Sequence, residues 1–296
     1  MSLTRLIFSF LLLASTSSVW AELDIRITEG AEGAIPIAIA PLEWQGSGAR
    51  PENIANIVSA DLKRSGRFNT LEQSRFAQPD VTPGSIELYR WRQKSIDYLV
   101  VGRIEQDAAG TYQIQFQLFD TIKGRQLAGY SIPAKQRDLR MAAHQISDLI
   151  YEAILGVRGA FNTRIAYITN AHQGSQRHYI MQVADSDGYN ARTILDSPHP
   201  LMSPDWSPDG RRIAVVSFEK NRAHVYVQDL LTGQRRVVSN FRGINGAPAW
   251  SPDGQRLALT LSKSGSAQIY VMDVDSGQLN QVTTGRFINT EPAWMP

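Results

Sequence analysis

The sequence predicts two domains of different class: a small N-terminal α/β domain followed by an all-β portion built like a propeller. Three observations predict it. Trp206, Trp250 and Trp294 recur 44 residues apart, the first two inside Asp205-Trp206-Ser207-Pro208-Asp209-Gly210 and Ala249-Trp250-Ser251-Pro252-Asp253-Gly254. A repeat of about 40–45 residues is the length of one propeller blade. Around Gly156–Asn162 the patterning changes, from mixed helical and strand periodicity to short strands alone. The divisions that follow are a leader over 1–21, an arm over 22–33, the α/β domain over 34–158 and the partial propeller over 159–296.

From the N-terminus, Arg5 precedes the apolar run Leu6–Ala14, and Val19-Trp20-Ala21 places small residues at the two positions a signal peptidase reads. That is the pattern of a secretory signal peptide, with an apolar core shorter than the roughly 20 residues a membrane span needs. A soluble exported protein is expected, its mature chain starting at Glu22. The chain has no cysteine, which excludes a lipoprotein anchor and disulfide stapling, so stability has to come from apolar packing. Past residue 21 there are 29 Lys plus Arg against 28 Asp plus Glu, interspersed. This balance argues against nucleic acid as a partner.

The segment Glu22-Leu23-Asp24-Ile25-Arg26-Ile27-Thr28-Glu29-Gly30 alternates polar and apolar residues before Gly33. The alternation leaves two readings open: a free end that adds to the sheet edge of another protein, or a first strand tucked into its own domain.

Within the α/β domain, Ile35–Ala40 reads as a buried strand. Pro51 then opens a helix with Ile54, Ile57, Val58 and Leu62 at helical spacing, stopped at Gly66. A short helix is expected around Ile86–Trp91 and a strand over Tyr98–Val101. Tyr112, Ile114, Phe116 and Leu118 alternate with glutamines, so this strand has one wet face. Ile122-Lys123-Gly124-Arg125 turns it into a partner ending near Ile132, and Leu139–Leu155 closes the domain as an amphipathic helix.

In the repeats, Ile213–Val216 answers Leu257–Thr260 and Val225–Asp229 answers Ile269–Asp273, without a gap. Short runs at Arg236–Val238 and Asn280–Val282 complete units of four strands. Arg164–Ile168, Tyr179–Val183 and Arg192–Leu195 read as a looser first copy, with Thr169–Arg177 as a long loop inside it. Ser-Pro-Asp-Gly is a turn because Pro sets one dihedral, Asp bonds its own backbone and Gly accepts positive φ. The tryptophan before it is expected to pack between blades. Closed propellers need roughly four to eight blades and residues 159–296 supply about three. The chain therefore reads as a C-terminally shortened fragment whose open apolar edges favour aggregation.

Catalytic and metal chemistry find little support. No Gly-x-Ser-x-Gly elbow is present, so the alternative of a propeller from an exported serine peptidase or hydrolase needs a catalytic domain elsewhere. His144 falls in a helix and His172, His178 and His199 in or beside loops, without zinc-ligand spacing. Asp185-Ser186-Asp187-Gly188 starts like a calcium loop but lacks its later ligands, and reads as a hairpin turn. Gly46-Ser47-Gly48 lacks the Lys-Ser/Thr end of a phosphate loop. No cofactor is expected. Trp44 and Trp91 are the aromatics a carbohydrate-binding rim would use, yet packing explains them equally well.

The signal peptide, the Asp24-Ile25-Arg26-Ile27 start, the α/β domain and Asn245-Gly246-Ala247-Pro248-Ala249-Trp250-Ser251-Pro252-Asp253-Gly254 together resemble the TolB family of the Tol-Pal system. The resemblance covers the whole sequence and implies a TolB-like propeller of roughly six blades. It implies a non-enzymatic periplasmic relay, monomeric outside its complexes, that supports outer-membrane integrity and constriction at cell division. By this resemblance Glu22–Gly30 is the TolA-binding arm. The face that binds the peptidoglycan-associated lipoprotein Pal, and that colicins exploit, comprises the loops Leu201-Met202-Ser203, Asn245-Gly246-Ala247 and Asn289-Thr290-Glu291, each before an innermost strand. Other outer-membrane proteins are further partners the resemblance allows. Ile244 stands where the family resemblance implies a histidine, so a polar contact there is absent or replaced. For Asn245 and Gly246, partner contact and a purely turn-forming role both remain open.

Overall fold

The computed structural model describes residues 33–46, 48, 49, 51–72, 74, 86–174 and 176–295. The leader and the arm at Glu22–Gly30 lie outside the described residues. The N-terminal sheet contains β1 (Ile35–Ile39), β2 (Glu43–Gln45), β3 (Phe68–Thr70), β4 (Tyr98–Gln106), β5 (Tyr112–Asp120) and β6 (Arg125–Ala134), in the order β3-β1-β4-β5-β6 with β2 also on β4. Pairing is parallel around β1 and antiparallel from β4 through β6. β4 runs well past Val101 because β5 pairs with it along its whole length.

Helices α1 (Ile54–Arg64) and α3 (Leu139–Leu155) cover one face of this sheet, and the short α2 (Leu88–Gln93) covers one end of the other. Successive side chains of a strand face opposite ways. Val100 and Ile104 of β4 accordingly join the core under α1 and α3, while Leu99 and Val101 join Trp91 and Ile96 on the other side. The helix expected from Pro51 starts at Ile54, since the Asn53 side chain accepts the Asn56 N–H and caps it there. The helix expected at Ile86–Trp91 likewise begins two residues later and continues to Gln93. Trp91 is buried in the core on one face of the sheet, and the partly buried Trp44 packs against the core on the other, with 6.0 Å between its ring centroid and that of Tyr112.

The propeller portion begins with β7 (Arg164–Gln173), β8 (Gln176–Asp185) and β9 (Arg192–Ser197) as a three-stranded sheet. The loop expected over Thr169–Arg177 is instead a paired hairpin, with Asn170 opposite Tyr179 and His172 opposite Arg177. Its polar residues misled the pattern because both strands run out past the apolar core, where backbone pairing continues without burial. His172 and His178 therefore sit in strands. The second blade is β10 (Leu201–Trp206), β11 (Arg212–Ser217), β12 (His224–Asp229) and β13 (Arg235–Ser239). The third is β14 (Asn245–Trp250), β15 (Arg256–Leu261), β16 (Gln268–Asp273) and β17 (Leu279–Gln281).

Each blade packs on the next through both faces of its strands. Ile213 and Val215 of β11 meet Met181 and Val183 of the first blade, while Ala214 and Val216 meet Leu257 and Leu259 of the third. That two-sided burial is why the strand reads as an unbroken apolar run rather than an alternation. The Ser-Pro-Asp-Gly turns are superimposable in their bonding. Ser207 N–H donates to Arg212 O at 2.9 Å and Arg212 N–H to Ser207 Oγ at 2.9 Å; Ser251 and Arg256 repeat both at 2.9 Å. Gly210 and Gly254 hold φ of 65° and 69°, the left-handed region only glycine enters without a Cβ clash.

A ladder of arginine on tryptophan joins the blades. The guanidiniums of Arg164, Arg212 and Arg256 lie 5.0, 4.6 and 5.1 Å from the rings of Trp206, Trp250 and Trp294, each tryptophan belonging to the next repeat. Arg164 and Arg212 also donate to the carbonyls of Gly210 and Gly254. Asp205 accepts the Trp250 N–H at 2.7 Å across the same boundary. Burial pushes the Asp205 carboxyl above its ordinary value despite the Trp250 and Trp206 N–H groups that favour its anion.

Candidate partner-binding cleft of the propeller

The first strands of the second and third blades are not regular. Pairing shifts between Met202 and Asp205 on β10, and again between Gly246 and Ala249 on β14. At this shift Ser203 and Ala247 take φ of 49° and 44°, and Glu291, a further 44 residues along, takes 54°. Left-handed backbone costs an L-residue with a Cβ about 1–2 kcal/mol, so the same strain is stored three times at equivalent places. Two segments expected as loops before an inner strand, Leu201-Met202-Ser203 and Asn245-Gly246-Ala247, are thus the beginnings of the strands themselves. The bulge gives them loop-like composition because it interrupts the ladder there.

These bulges open on a cleft of about 430 Å³ between the second and third blades. Met202, Ser203, Asn245, Gly246, Ala247 and Glu291 line it, six of the residues expected on the face. Met202 and Ile244 are half exposed and give the cleft an apolar rim. Leu201 lies beneath, buried in the core between first and second blades. Asn289 is directed elsewhere: its amide donates to Gln268 Oε1 at 2.9 Å. Thr290 is exposed outside the cleft lining.

Asn245 is fully bonded within the protein. Buried at 1 % exposure, its Oδ1 accepts from Ser239 Oγ at 2.6 Å and Phe241 N at 2.9 Å, and its amide donates to Phe241 O at 2.7 Å and Gly243 O at 3.1 Å. An amide has little capacity beyond that, so Asn245 shapes the Ser239–Gly243 turn. Gly243 beside it holds a φ of 88°, which glycine enters without strain; a Cβ there would also crowd Ser262 Oγ, the acceptor of the Ile244 N–H. The remaining walls come from Val216, Phe218, Ala223 and Ser262, which the repeat alone did not single out. Strand pairing would have found two of them, because Met202 pairs with Val216 and Gly246 with Thr260, close to Ser262.

A second polar assembly lies where the domains meet. The Asp61 carboxylate of α1 takes His144 Nδ1 at 2.7 Å and Ser147 Oγ at 2.8 Å on one oxygen, and Arg64 at 2.8 Å on the other. Arg140, one turn before His144 on α3, ion-pairs with Glu52 at 2.7 Å and with Asp187 of the β8–β9 turn, and stacks on Tyr189 with 3.8 Å to the centroid. Burial alone would raise the Asp187 carboxyl; the Tyr189 N–H and the positive charge of Arg140 outweigh it and hold it below the usual aspartate range. Asp148 accepts the N–H groups of Phe161 and Asn162, and Ser186 Oγ donates to Phe161 O, which fastens the linker to both sides. The buried face of α3 thus includes His144 and Ser147 beside the apolar residues its periodicity predicted.

An α/β domain joined to stacked blades, the second and third with a Ser-Pro-Asp-Gly turn and all three with an arginine stacked on the tryptophan of the next repeat, defines a propeller repeat protein with an appended α/β domain. Family models agree in both parts: a TolB amino-terminal domain matches residues 23–127 and a TolB beta propeller domain matches residues 151–296. The chain belongs to the TolB family. It is 51 % identical over 226 residues to the Tol-Pal system protein TolB of Thioalkalivibrio sulfidiphilus, covering 76 % of this chain and 52 % of that protein. With the Tol-Pal system protein TolB of Methylococcus capsulatus it shares 49 % over 239 residues, 81 % of this chain and 56 % of the relative. A crystal structure of TolB from Acinetobacter baumannii superposes with a TM-score of 0.77 at 36 % identity, over 88 % of this chain and 63 % of that one. The chain spans about half the length of the curated relatives it matches. Among the described residues no helix is long and apolar enough to cross a membrane.

Proposed function

We propose that this protein is a non-enzymatic periplasmic adaptor of the Tol-Pal system, linking TolA to the lipoprotein Pal and so supporting outer-membrane integrity and constriction at division. The arm Glu22–Gly30 engages TolA, and the propeller face receives Pal, with Met202, Ser203, Gly246, Ala247 and Glu291 lining the cleft, Asn245 and Leu201 buried beneath it, and Asn289 and Thr290 next to Glu291 in the chain. The observation that carries this reading is the strained residue repeated at Ser203, Ala247 and Glu291 along one rim. Strain that recurs at one place in successive repeats is retained where it shapes a surface. The half-exposed Met202 and Ile244 supply apolar area for a partner segment, while Asn245 holds the turn beneath them. A hydrolase reading finds no nucleophile elbow in the sequence.

Affinity capture from a solubilised bacterial envelope tests it, using the full chain, a form lacking 22–33 and the double variant Met202→Glu/Ile244→Arg. Loss of TolA alone from the first variant and of Pal alone from the second is expected. Recovery of both partners by both folded variants, or of neither by the full chain, would overturn the assignment.

A further inference from the structure

We infer that His144, Asp185 and Asp187 form a binding site for one divalent transition metal of the zinc class, fastening the α/β domain to the first blade. The inference is independent of the adaptor reading, since it concerns the domain junction and not the cleft. One ligand atom from each residue falls within 4.8 Å of the others. His144 Nε2 stands 3.7 Å from Asp187 Oδ2, too far for a hydrogen bond. Ligand atoms held at about 2.0–2.1 Å by a tetrahedral zinc lie roughly 3.4 Å apart. The spacing suits two groups with a cation between them.

His144 itself points to a ligand. Its side chain is 3 % exposed, and Nε2 has no hydrogen-bond partner among the described residues although no solvent reaches it. A buried ring nitrogen in that position is costly unless something coordinates it. The other ring nitrogen is committed: Asp61 holds Nδ1 at 2.7 Å, and Asp61 is fixed in turn by Ser147 and Arg64. A carboxylate on the far nitrogen is the usual support of a metal-binding histidine, because it sets the tautomer with the proton on that side and leaves the near lone pair free.

Charge supports the same conclusion. Glu52, Asp61, Asp185 and Asp187 meet here with Arg64 and Arg140. Four carboxylates against two guanidiniums leave two negative charges for a divalent ion to neutralise. Arg140 and the ion would share Asp187, whose other oxygen accepts the Tyr189 N–H at 3.0 Å. Asp185 Oδ2 accepts from Asn190 at 2.8 Å, leaving its second oxygen to the ion. An imidazole with two carboxylates selects a zinc-like metal over calcium, which takes more oxygens in a looser shell. Neither the histidine nor the Asp-Ser-Asp-Gly turn has metal-site spacing in sequence; they meet only through the packing of α3 on the β8–β9 turn.

The test is zinc binding to the full chain, purified without a histidine tag and stripped by chelator. Calorimetry with zinc chloride is expected to give one ion per chain, and a melting temperature raised by several degrees that calcium at the same concentration does not reproduce. Asp185→Asn should weaken zinc affinity at least about tenfold while the metal-free melt stays near that of the parent, since this carboxylate lies outside the Asp61 network. Asp61→Asn should weaken it by about 10–100-fold through misorientation of the ring. Absence of stoichiometric zinc at about 100 μM, or unchanged binding by folded Asp185→Asn, would overturn the site. So would ring-nitrogen NMR of His144 showing both nitrogens protonated in the zinc-treated protein, which would assign the cluster to an imidazolium shared by two carboxylates.

Discussion

The α/β domain and the blades solve the same burial problem by opposite means. In the former, one sheet collects residues from Ile35 to Ala134 and buries them under helices that follow or interrupt it, so Ile37, Val100, Phe116 and Ile146 share a single core. In the latter, each sheet comes from consecutive strands and has no core of its own. Its apolar side chains share their clusters with those of the neighbouring blade, Val216 with Leu259 and Ile213 with Met181. A blade's stability is therefore largely a property of its interfaces. This difference also explains where the bonding repeats: the propeller copies one turn and one arginine–tryptophan contact from blade to blade.

The comparison breaks most visibly if a core deletion in the α/β domain stays local. Phe116→Ala, at a fully buried site, should cost about 3–5 kcal/mol and unfold the whole α/β domain as one unit. Urea titration followed by hydrogen exchange checks it, with protection lost from β1 through β6 together. Asn245→Ala should cost about 2–3 kcal/mol by leaving the Phe241 N–H and Ser239 hydroxyl unpaired. Here exchange should rise mainly over Ser239–Gly243 and the cleft, with the α/β domain unmoved; loss of protection everywhere would show the blades to be less modular than their contacts suggest.

Arg212→Ala removes the stack on Trp250 and the bond to Gly254 O, a loss of about 1–2 kcal/mol expected at the boundary of the second and third blades. Arg212→Lys should recover only part of it, because ammonium cannot both stack and bridge as a planar fork does. Acid sharpens the junction. The folded Asp187 carboxyl lies below 3.8, so its contribution is present above the ordinary aspartate range and is lost as pH falls through the lower folded value. Thermal melts between about pH 5 and about pH 2 should show a steeper decline for the parent than for Asp187→Asn. The smallest effect has the opposite sign: Ala247→Gly relieves a φ of 44° and should stabilise by about 0.5–1 kcal/mol, while loosening the cleft enough to weaken partner capture.

Much of the fold was legible because it rests on local chemistry. Helix α3 is visible in its periodicity, β5 in the alternation of Tyr112, Ile114, Phe116 and Leu118 with glutamines, and the blades in a turn whose every residue has a conformational reason. The Thr169–Arg177 stretch was illegible because strand pairing satisfies the backbone whatever the side chains, so a polar hairpin looks like a loop. The short β2 and β3 carry too few residues to show a period. In the candidate cleft, the repeat located the first-strand residues, but only the folded structure revealed that Asn245 is buried and Met202 half exposed.

The sequence by itself determined the order of the two domains, the blade length, the turns and the position of the interblade tryptophans, since each depends on residues close together in the chain. Tertiary structure decided which apolar face meets which neighbour, the strain at Ser203 and Ala247, and the meeting of His144 with Asp61 and Asp187. Those residues lie in separate elements, and no local preference of the chain encodes the distance between them. It is set by how α3 and the first blade pack, a balance of burial and charge that exists only once both are folded.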